Sequence, residues 1–155
     1  MLENDKLKIG IDLLNLPTLF SGGGRYARQL INGLAEIDQK NEYILFLNKR
    51  IANQFSFNNP RFQKVIVNFP NIQNLPWNQI YFALHSIIGK LRIDLLHSPI
   101  SLSPLFLFNS LKTVVTVHDT AVKFLPESFS KLELFWSNFV WPRGLKNIDQ
   151  IVAVS

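Results

Sequence analysis

Short apolar segments recur along the whole chain, and stretches with helical periodicity separate many of them. The apolar segments predict β-strands at Leu7–Leu13, Glu42–Asn48, Lys64–Phe69, Ile93–Pro99, Lys112–Asp119 and Asp149–Ser155. The spacing of apolar residues predicts helices at about Gly24–Asp38, Pro76–Arg92 and Ser128–Lys146. Near-continuous apolar strands are typical of a parallel sheet that is covered on both faces. The alternation therefore predicts an α/β fold with a doubly wound parallel sheet.

The first predicted helix is strongly amphipathic. Its apolar face carries Tyr26, Ala27, Leu30, Ile31, Leu34 and Ala35. Its polar face carries Arg25, Arg28, Gln29, Asn32 and Glu36. Because an α-helix repeats every 3.6 residues, this pattern predicts that the apolar face packs against the sheet and the polar face meets solvent.

The composition predicts one packed domain over residues 1–155. Hydrophobic residues make up 47% of the chain and charged residues 17%, which favours a core over disorder. There is no cysteine, so disulfides, thiolate metal sites and cysteine nucleophiles are excluded. The net charge of +5 suits an anionic partner such as a nucleotide or an anionic lipid surface. The basic residues are scattered, however, so we expect no nucleic-acid partner.

The start of the chain does not carry the pattern of a signal peptide. Met1–Lys8 is charged, and the apolar run that follows is short and contains Asp12. No apolar segment approaches the roughly 20 residues that a spanning helix needs. We therefore expect a cytoplasmic protein that is at most peripheral at the inner face of the membrane.

The last predicted helix, Ser128–Lys146, is rich in aromatic residues. They are Phe129, Phe135, Trp136, Phe139 and Trp141. The first interpretation is that these rings form core or interdomain contacts. The second is that they anchor a peripheral membrane face, because Lys131, Arg143 and Lys146 lie among them.

The chain segments that follow the strands are where a ligand is expected, since open α/β sheets bind ligands outside the carboxyl ends of their strands. Gly22, Gly23 and Gly24 lie after the first strand and directly before the first predicted helix. Helix N-termini favour anions such as a diphosphate, but consecutive glycines are equally typical of a plain turn. Arg25 beside them could contact an anion or be solvated.

The glycines do not match known phosphate loops closely. A dinucleotide fingerprint needs G-x-G-x-x-G just after the strand, and a P-loop needs a Lys-Ser/Thr pair. Neither pattern is present, and the second strand ends in Asn48 where a dinucleotide fold usually has an acid. These departures disfavour an NAD-dependent dehydrogenase.

Histidines and carboxylates also lie at the strand ends. His118 follows the valine-rich strand and is placed for hydrogen bonding or proton transfer, although a half-buried structural histidine fits equally well. His97 is more typical of a structural histidine. Asp12 and Asp119 could be paired carboxylates, or Asp12 could orient the loop after the first strand. No metal site is predicted, because the histidines and acids lack a recognisable ligand spacing.

Six motifs together resemble the amino-terminal half of glycosyltransferase family 4, whose members are retaining transferases of the GT-B fold. The motifs are KIGID, GGGRYARQLINGLAEID, YILFL, DLLHSP, VVTVHDTAVKFLPE and DQIVAVS. Their order and spacing match over nearly the whole chain. The GGxGRY turn and the HD pair after a valine-rich strand are the most specific of them.

The resemblance implies a Rossmann-like domain that recognises the acceptor, a glycan or a lipid-linked molecule. It implies a nucleotide-diphosphate sugar as substrate and no separate cofactor or metal. By analogy, His118 and Asp119 are the catalytic candidates, with His118 beside the transferred sugar. The donor diphosphate and the acceptor would contact Gly22, Gly23, Gly24, Arg25, Tyr26, Asp12 and Ser98.

One part of the family pattern does not occur in these 155 residues: the E-x7-E motif of the carboxyl-terminal donor domain. We therefore expect an acceptor-side domain that does not transfer sugar alone, whether it is a truncated product or half of a split enzyme with a separate donor-domain chain. The alternative is a stand-alone module that binds nucleotides or glycans, or a partner subunit.

Overall fold

A computed structural model describes residues 6–16, 18–56, 58–67, 77–100 and 111–154, without the side chains of residues 77–83. These residues form a sheet of six parallel strands in the order β3-β2-β1-β4-β5-β6. The strands are β1 Lys8–Leu13, β2 Glu42–Asn48, β3 Phe62–Val67, β4 Leu95–Ser98, β5 Lys112–Val117 and β6 Gln150–Ala153. The predicted α/β fold with a parallel, Rossmann-like sheet is confirmed.

The strand order changes direction at the centre of the sheet. From β1 the chain moves outward to β2 and β3, and then returns to place β4 on the other side of β1. Ile9 of β1 accordingly pairs with Tyr43 of β2 on one side and with Leu95 of β4 on the other. The carboxyl ends of β1 and β4 therefore flank the switch point, which is where this class of sheet binds ligands.

Helices cover both faces of the sheet. Helix α1, Gly22–Ile37, buries Ala27 and Ile31 on the face that carries Ile11 and Leu13 of β1. Helix α2, Trp77–Leu91, covers the opposite face of the sheet. There Leu84 and Ile88 belong to a cluster with Ile44, Phe46, Leu96 and Val115. Because both faces are covered, β2 is buried from Tyr43 to Asn48, as its continuous apolar run predicts.

Several boundaries differ from the predicted ones. Helix α1 begins at Gly22 instead of Gly24, so the glycines lie inside the helix. Helix α2 ends at Leu91 because Arg92, with φ at 52°, has left the right-handed helical region. Strands β4, β5 and β6 are shorter than predicted at one or both ends. The predicted ends at Pro76, Phe69 and Ser155 lie outside the described residues.

The predicted aromatic helix is a continuous helical stretch from residue 131 to residue 145, here called the aromatic helix. It consists of α4 Lys131–Phe135, a π-helical segment Trp136–Val140 and α5 Trp141–Leu145. It begins after Ser130, whose side chain forms a capping box with Glu133, instead of at the predicted Ser128. Pro142 follows the π segment, and because proline has no N–H to donate, the regular hydrogen-bond ladder is interrupted there. A short helix α3, Ala121–Phe124, precedes it and was not predicted.

The interpretation of the aromatic rings as core is wrong for two of the five, Phe135 and Phe139, whereas their interpretation as interdomain contacts stays a prediction. Leu132, Phe135 and Phe139 are each more than half exposed. The rings of Phe135 and Phe139 lie beside each other, with centroids 5.4 Å apart. The helix therefore presents an apolar face to solvent. None of the helices in the described ranges is both long and apolar enough to cross a bilayer.

Candidate functional site

The first turn of α1 lies beside the switch point and contains the three glycines. Ser21 is its N-cap: the Ser21 hydroxyl accepts a hydrogen bond from the Gly24 N–H at 3.1 Å. The same hydroxyl donates to the Thr18 carbonyl at 3.1 Å. The glycines thus form the capped first turn of the helix, so that of the two interpretations left open by the sequence the plain turn does not apply.

The three glycines have different surroundings. A Cβ at Gly24 would lie 2.2 Å from the Thr18 carbonyl oxygen and 2.7 Å from the Leu19 Cα, so this position has no room for a side chain. A Cβ at Gly23 would make an ordinary contact with Ile100 at 3.5 Å, and one at Gly22 would have no described atom within 4 Å. Gly24 therefore serves loop-to-helix packing, while Gly22 and Gly23 leave the amino end of the helix open.

Asn48 anchors the start of the loop that leads to this helix. Its buried amide donates hydrogen bonds to the carbonyls of Leu14 at 2.8 Å and Leu16 at 3.0 Å. Its side-chain oxygen accepts from the Ile51 N–H at 3.1 Å. The sequence analysis used Asn48 only as a missing acid. The sequence does carry a signal for this role, since an amide side chain lies at the end of an apolar strand. A buried amide needs hydrogen-bond partners, so such a residue is expected to bond to nearby backbone.

The two aspartates at the strand ends shape local turns. Asp12 is buried and accepts a hydrogen bond from the Leu14 N–H at 3.0 Å. Asp119 is exposed and accepts from the Ala121 N–H at 2.9 Å. They do not form a carboxylate pair, because β4 separates β1 from β5 and strands two apart lie about 10 Å from each other.

His118 and Tyr26 are brought into direct contact. Their rings meet edge to face, with centroids 4.9 Å apart and planes at 90°. Nε2 of His118 lies 2.7 Å from the Pro99 carbonyl oxygen, in the segment that follows β4. The predicted site residues on α1 and after β5 therefore meet at the switch point.

His97 and Thr116 extend this contact into the sheet. Nε2 of His97 lies 3.0 Å from the Thr116 hydroxyl oxygen, and the Tyr26 hydroxyl lies 3.4 Å from the same oxygen. Burial lowers the pKa of His97 to about 4, so its imidazole is neutral at neutral pH. Thr116 is buried and was not among the predicted site residues.

The other predicted site residues lie around this contact. Ser98 is buried at the end of β4, where it pairs with Val115 of β5. Arg25 is exposed on the solvent side of α1. Within the described ranges, no group of three histidine, aspartate or glutamate side chains is arranged to hold a metal ion.

The sheet order, the capped helix at the switch point and the histidine after β5 define a Rossmann-like domain with a ligand-binding edge. The sequence model of Glycosyltransferase Family 4 matches residues 20–155. Since this match covers most of the chain, the protein belongs to glycosyltransferase family 4, and its fold is that of the family's GT-B-type domain. A comparison with curated proteins gives no match.

Replacing Gly24 by alanine should destabilise the protein, whereas the same change at Gly22 should not. The Gly24 Cβ would overlap the loop backbone at Thr18 and Leu19, and overpacking of this kind costs about 1–3 kcal/mol. Gly22 has open space, so Gly22→Ala should leave the free energy of unfolding unchanged or raise it by up to about 1 kcal/mol. Urea denaturation of both variants measures this. Equal effects would show that the close approach at Gly24 does not constrain the helix.

The free energy of unfolding should fall as the pH drops from about 6.5 to about 4. The lowered pKa of His97 means that the unfolded chain binds this proton more tightly than the folded chain in that window. The loss reaches up to about 3 kcal/mol. His97→Gln should flatten this pH dependence. Identical pH profiles for the two proteins would contradict the assignment.

Proposed function

We propose that this chain is the acceptor-side domain of a retaining hexosyltransferase. Its substrates would be a nucleotide-diphosphate sugar and a glycan or lipid-linked acceptor, with no separate cofactor. Membership of glycosyltransferase family 4 supports the transferase class. The observation that carries the finer proposal is the open amino end of α1 at the switch point, where Gly22 and Gly23 have room beside them.

The diphosphate of the donor fits this helix end chemically. The first N–H groups of an α-helix have no acceptor within the helix, and the helix dipole is positive there. Ser21 already caps the Gly24 N–H, so the N–H groups of Gly22 and Gly23 are the donors we assign to the diphosphate. Side chains at these two positions would stand between the backbone and the phosphate oxygens. Arg25, exposed one residue further on, would add positive charge.

His118 would lie beside the transferred sugar, at the end of the neighbouring strand. Its contact with Tyr26 of α1 supports this proposal, because it puts the imidazole within reach of the same helix end. The hydrogen bond of Asp119 to Ala121 supports a role in shaping the turn after His118. Asp12 and Ser98, at the ends of β1 and β4, would line the bottom of the proposed binding site.

Transfer would also need a donor-binding domain that faces this edge, on the same polypeptide or on a separate chain. The proposed contacts of this domain are with the diphosphate, the transferred sugar and the acceptor. None of them recognises a nucleoside. Sugar transfer by the 155-residue chain alone would contradict this division of roles. Binding of nucleotide or glycan without transfer in any assembly would favour a stand-alone binding module instead.

Gly23→Val should abolish transfer in an assembly that contains the donor domain. The valine side chain would occupy the space proposed for the diphosphate, so we expect the rate to fall at least about 100-fold, as for the loss of a well-placed transition-state donor. Gly33→Val is the matched control, because it puts the same residue into the same helix at a position where a Cβ would not clash either. The assay measures sugar transfer from the nucleotide sugar, and NMR of the product reports the anomeric configuration.

Two results would contradict this proposal. If Gly23→Val and Gly33→Val lowered transfer equally, the effect would be that of valine in a helix and not of a blocked diphosphate. If the product had the inverted anomeric configuration, the retaining mechanism would be wrong while the transferase class would stand.

We further propose that the protein is cytoplasmic and that the aromatic helix binds the anionic surface at the inner face of the membrane. Its exposed face carries Leu132, Phe135 and Phe139, and α3 adds the exposed Phe124. The hydrogen bond from Lys123 to the Asn138 side chain, at 2.8 Å, brings α3 next to this helix. Four exposed cations lie on α3 and along the aromatic helix or directly after it: Lys123, Lys131, Arg143 and Lys146. Helices that combine exposed aromatic and leucine side chains with lysine and arginine are typical of the membrane interface.

Replacing both Phe135 and Phe139 with serine should weaken binding to anionic vesicles at least tenfold. The loss corresponds to about 1.4 kcal/mol, less than the burial of one phenylalanine contributes. Flotation with phosphatidylcholine vesicles, with and without phosphatidylglycerol, measures it. Ile37→Ser, at an exposed apolar position on α1, is the control. Unchanged binding, or a dimer that the double substitution dissociates, would contradict the membrane proposal.

A further inference from the structure

Tyr26, His97, Thr116 and His118 form one connected group on the face of the sheet that α1 covers. His97 pairs in register with Val114 of β5, and alternate residues of a strand point to the same face. Thr116 and His118 follow Val114 at two-residue intervals and therefore share the face of His97. Helix α1 reaches this group through Tyr26, which contacts both Thr116 and His118.

The hydrogen bond to Pro99 determines the protonation pattern of His118. A carbonyl oxygen can only accept, so Nε2 of His118 must carry a hydrogen to make the 2.7 Å contact with the Pro99 carbonyl. In the neutral imidazole Nδ1 is then the only acceptor of the ring. The Tyr26 ring, packed edge to face against the imidazole, restricts its orientation.

The Thr116 hydroxyl links Tyr26 to His97. It is within hydrogen-bond distance of both His97 Nε2 and the Tyr26 hydroxyl. The neutral imidazole nitrogen is the strongest acceptor of these groups, and the phenol is the strongest donor. The favoured order is therefore Tyr26 donating to Thr116, and Thr116 donating to Nε2 of His97. In this order both hydroxyl hydrogens are used, and each bond strengthens the next.

We propose that Tyr26 is a positioning residue for His118, held in place through Thr116 by His97. Together with the Pro99 carbonyl, Tyr26 keeps His118 as the Nε2–H tautomer, whose Nδ1 accepts a hydrogen bond from a substrate hydroxyl. The identity of that hydroxyl, on the sugar or on the acceptor, rests on the proposed function. The arrangement of the four side chains does not, and can be measured without substrate.

Long-range ¹H–¹⁵N NMR of the histidine side chains in the 155-residue chain tests the arrangement. His118 should be the Nε2–H tautomer and His97 the Nδ1–H tautomer. Thr116→Val should leave His97 as a mixture of tautomers, whereas Thr116→Ser should preserve the single form. Tyr26→Leu should move the His118 ring signals because the aromatic contact is lost.

Tyr43→Phe is the matched control for Tyr26→Phe, since the Tyr43 hydroxyl bonds to Asp38, away from this group. Tyr26→Phe should alter the His97 signals and Tyr43→Phe should not. Two results would overturn the inference. One is an Nδ1–H tautomer for His118 in the unmodified chain. The other is unchanged His118 signals in Tyr26→Leu. The tautomer measurement needs no substitution, so poor folding of a variant cannot remove the test.

Kinetics in an assembly with the donor domain separate this inference from the proposed function. Tyr26→Leu should lower kcat about 100-fold, as misplacement of a reacting group does, and Tyr26→Phe should recover only part of this loss, because it keeps the ring contact with His118 but not the bond to Thr116. KM for the nucleotide sugar should change less than about twofold, because the lost interaction orients a group rather than binds the donor. If transfer occurs and kcat is unaffected, the positioning role is overturned. If no transfer occurs but the tautomers are as expected, the proposed function fails and the arrangement stands.

Discussion

The loop between β1 and α1 is held at both of its ends, and the geometry of the candidate site follows from this constraint. At its start, the buried amide of Asn48 bonds to two carbonyls of the loop. At its end, Gly24 lies against the loop backbone so closely that no side chain fits. Helix α1 therefore starts at one defined place relative to the switch point, and Tyr26, two residues beyond Gly24, reaches the strands of the other half of the sheet.

Because of this constraint, the three adjacent glycines have different roles. Gly24 is needed for packing, and the backbone there is ordinary helix, since no described glycine has a positive φ. Gly22 and Gly23 are not needed for packing and leave the helix end open. A glycine-rich stretch at a helix start can thus combine a structural requirement with an accessible anion-binding surface, and only the positions that are open can contribute to binding.

The sequence predicts the fold well because the strands are buried on both faces, and such strands differ strongly in composition from the rest of the chain. It also predicts which α1 residues face the sheet, since Ala27 and Ile31 are buried and Arg25 and Arg28 are exposed. It misplaces the start of α1 because three consecutive glycines favour a turn, although Ser21, a typical N-cap residue, directly precedes them. It does not reveal Thr116, whose partners lie far away in the chain, and for Asn48 it shows an amide at the end of an apolar strand but not the carbonyls that this amide bonds.

The order of the strands also determines when the candidate site can exist. Of the six strands, β1 is synthesised first, yet it obtains its second neighbour only when Leu95 reaches Ile9, after two further strands and two long helices have been made. Closing such a long loop costs entropy before any contact is regained, and parallel pairing of this kind is slow. The contact between Tyr26 and His118 can form only after the next strand, β5, has also been synthesised. During synthesis, the edge that we assign to sugar transfer is therefore assembled late, after the half of the sheet that carries the glycines is complete.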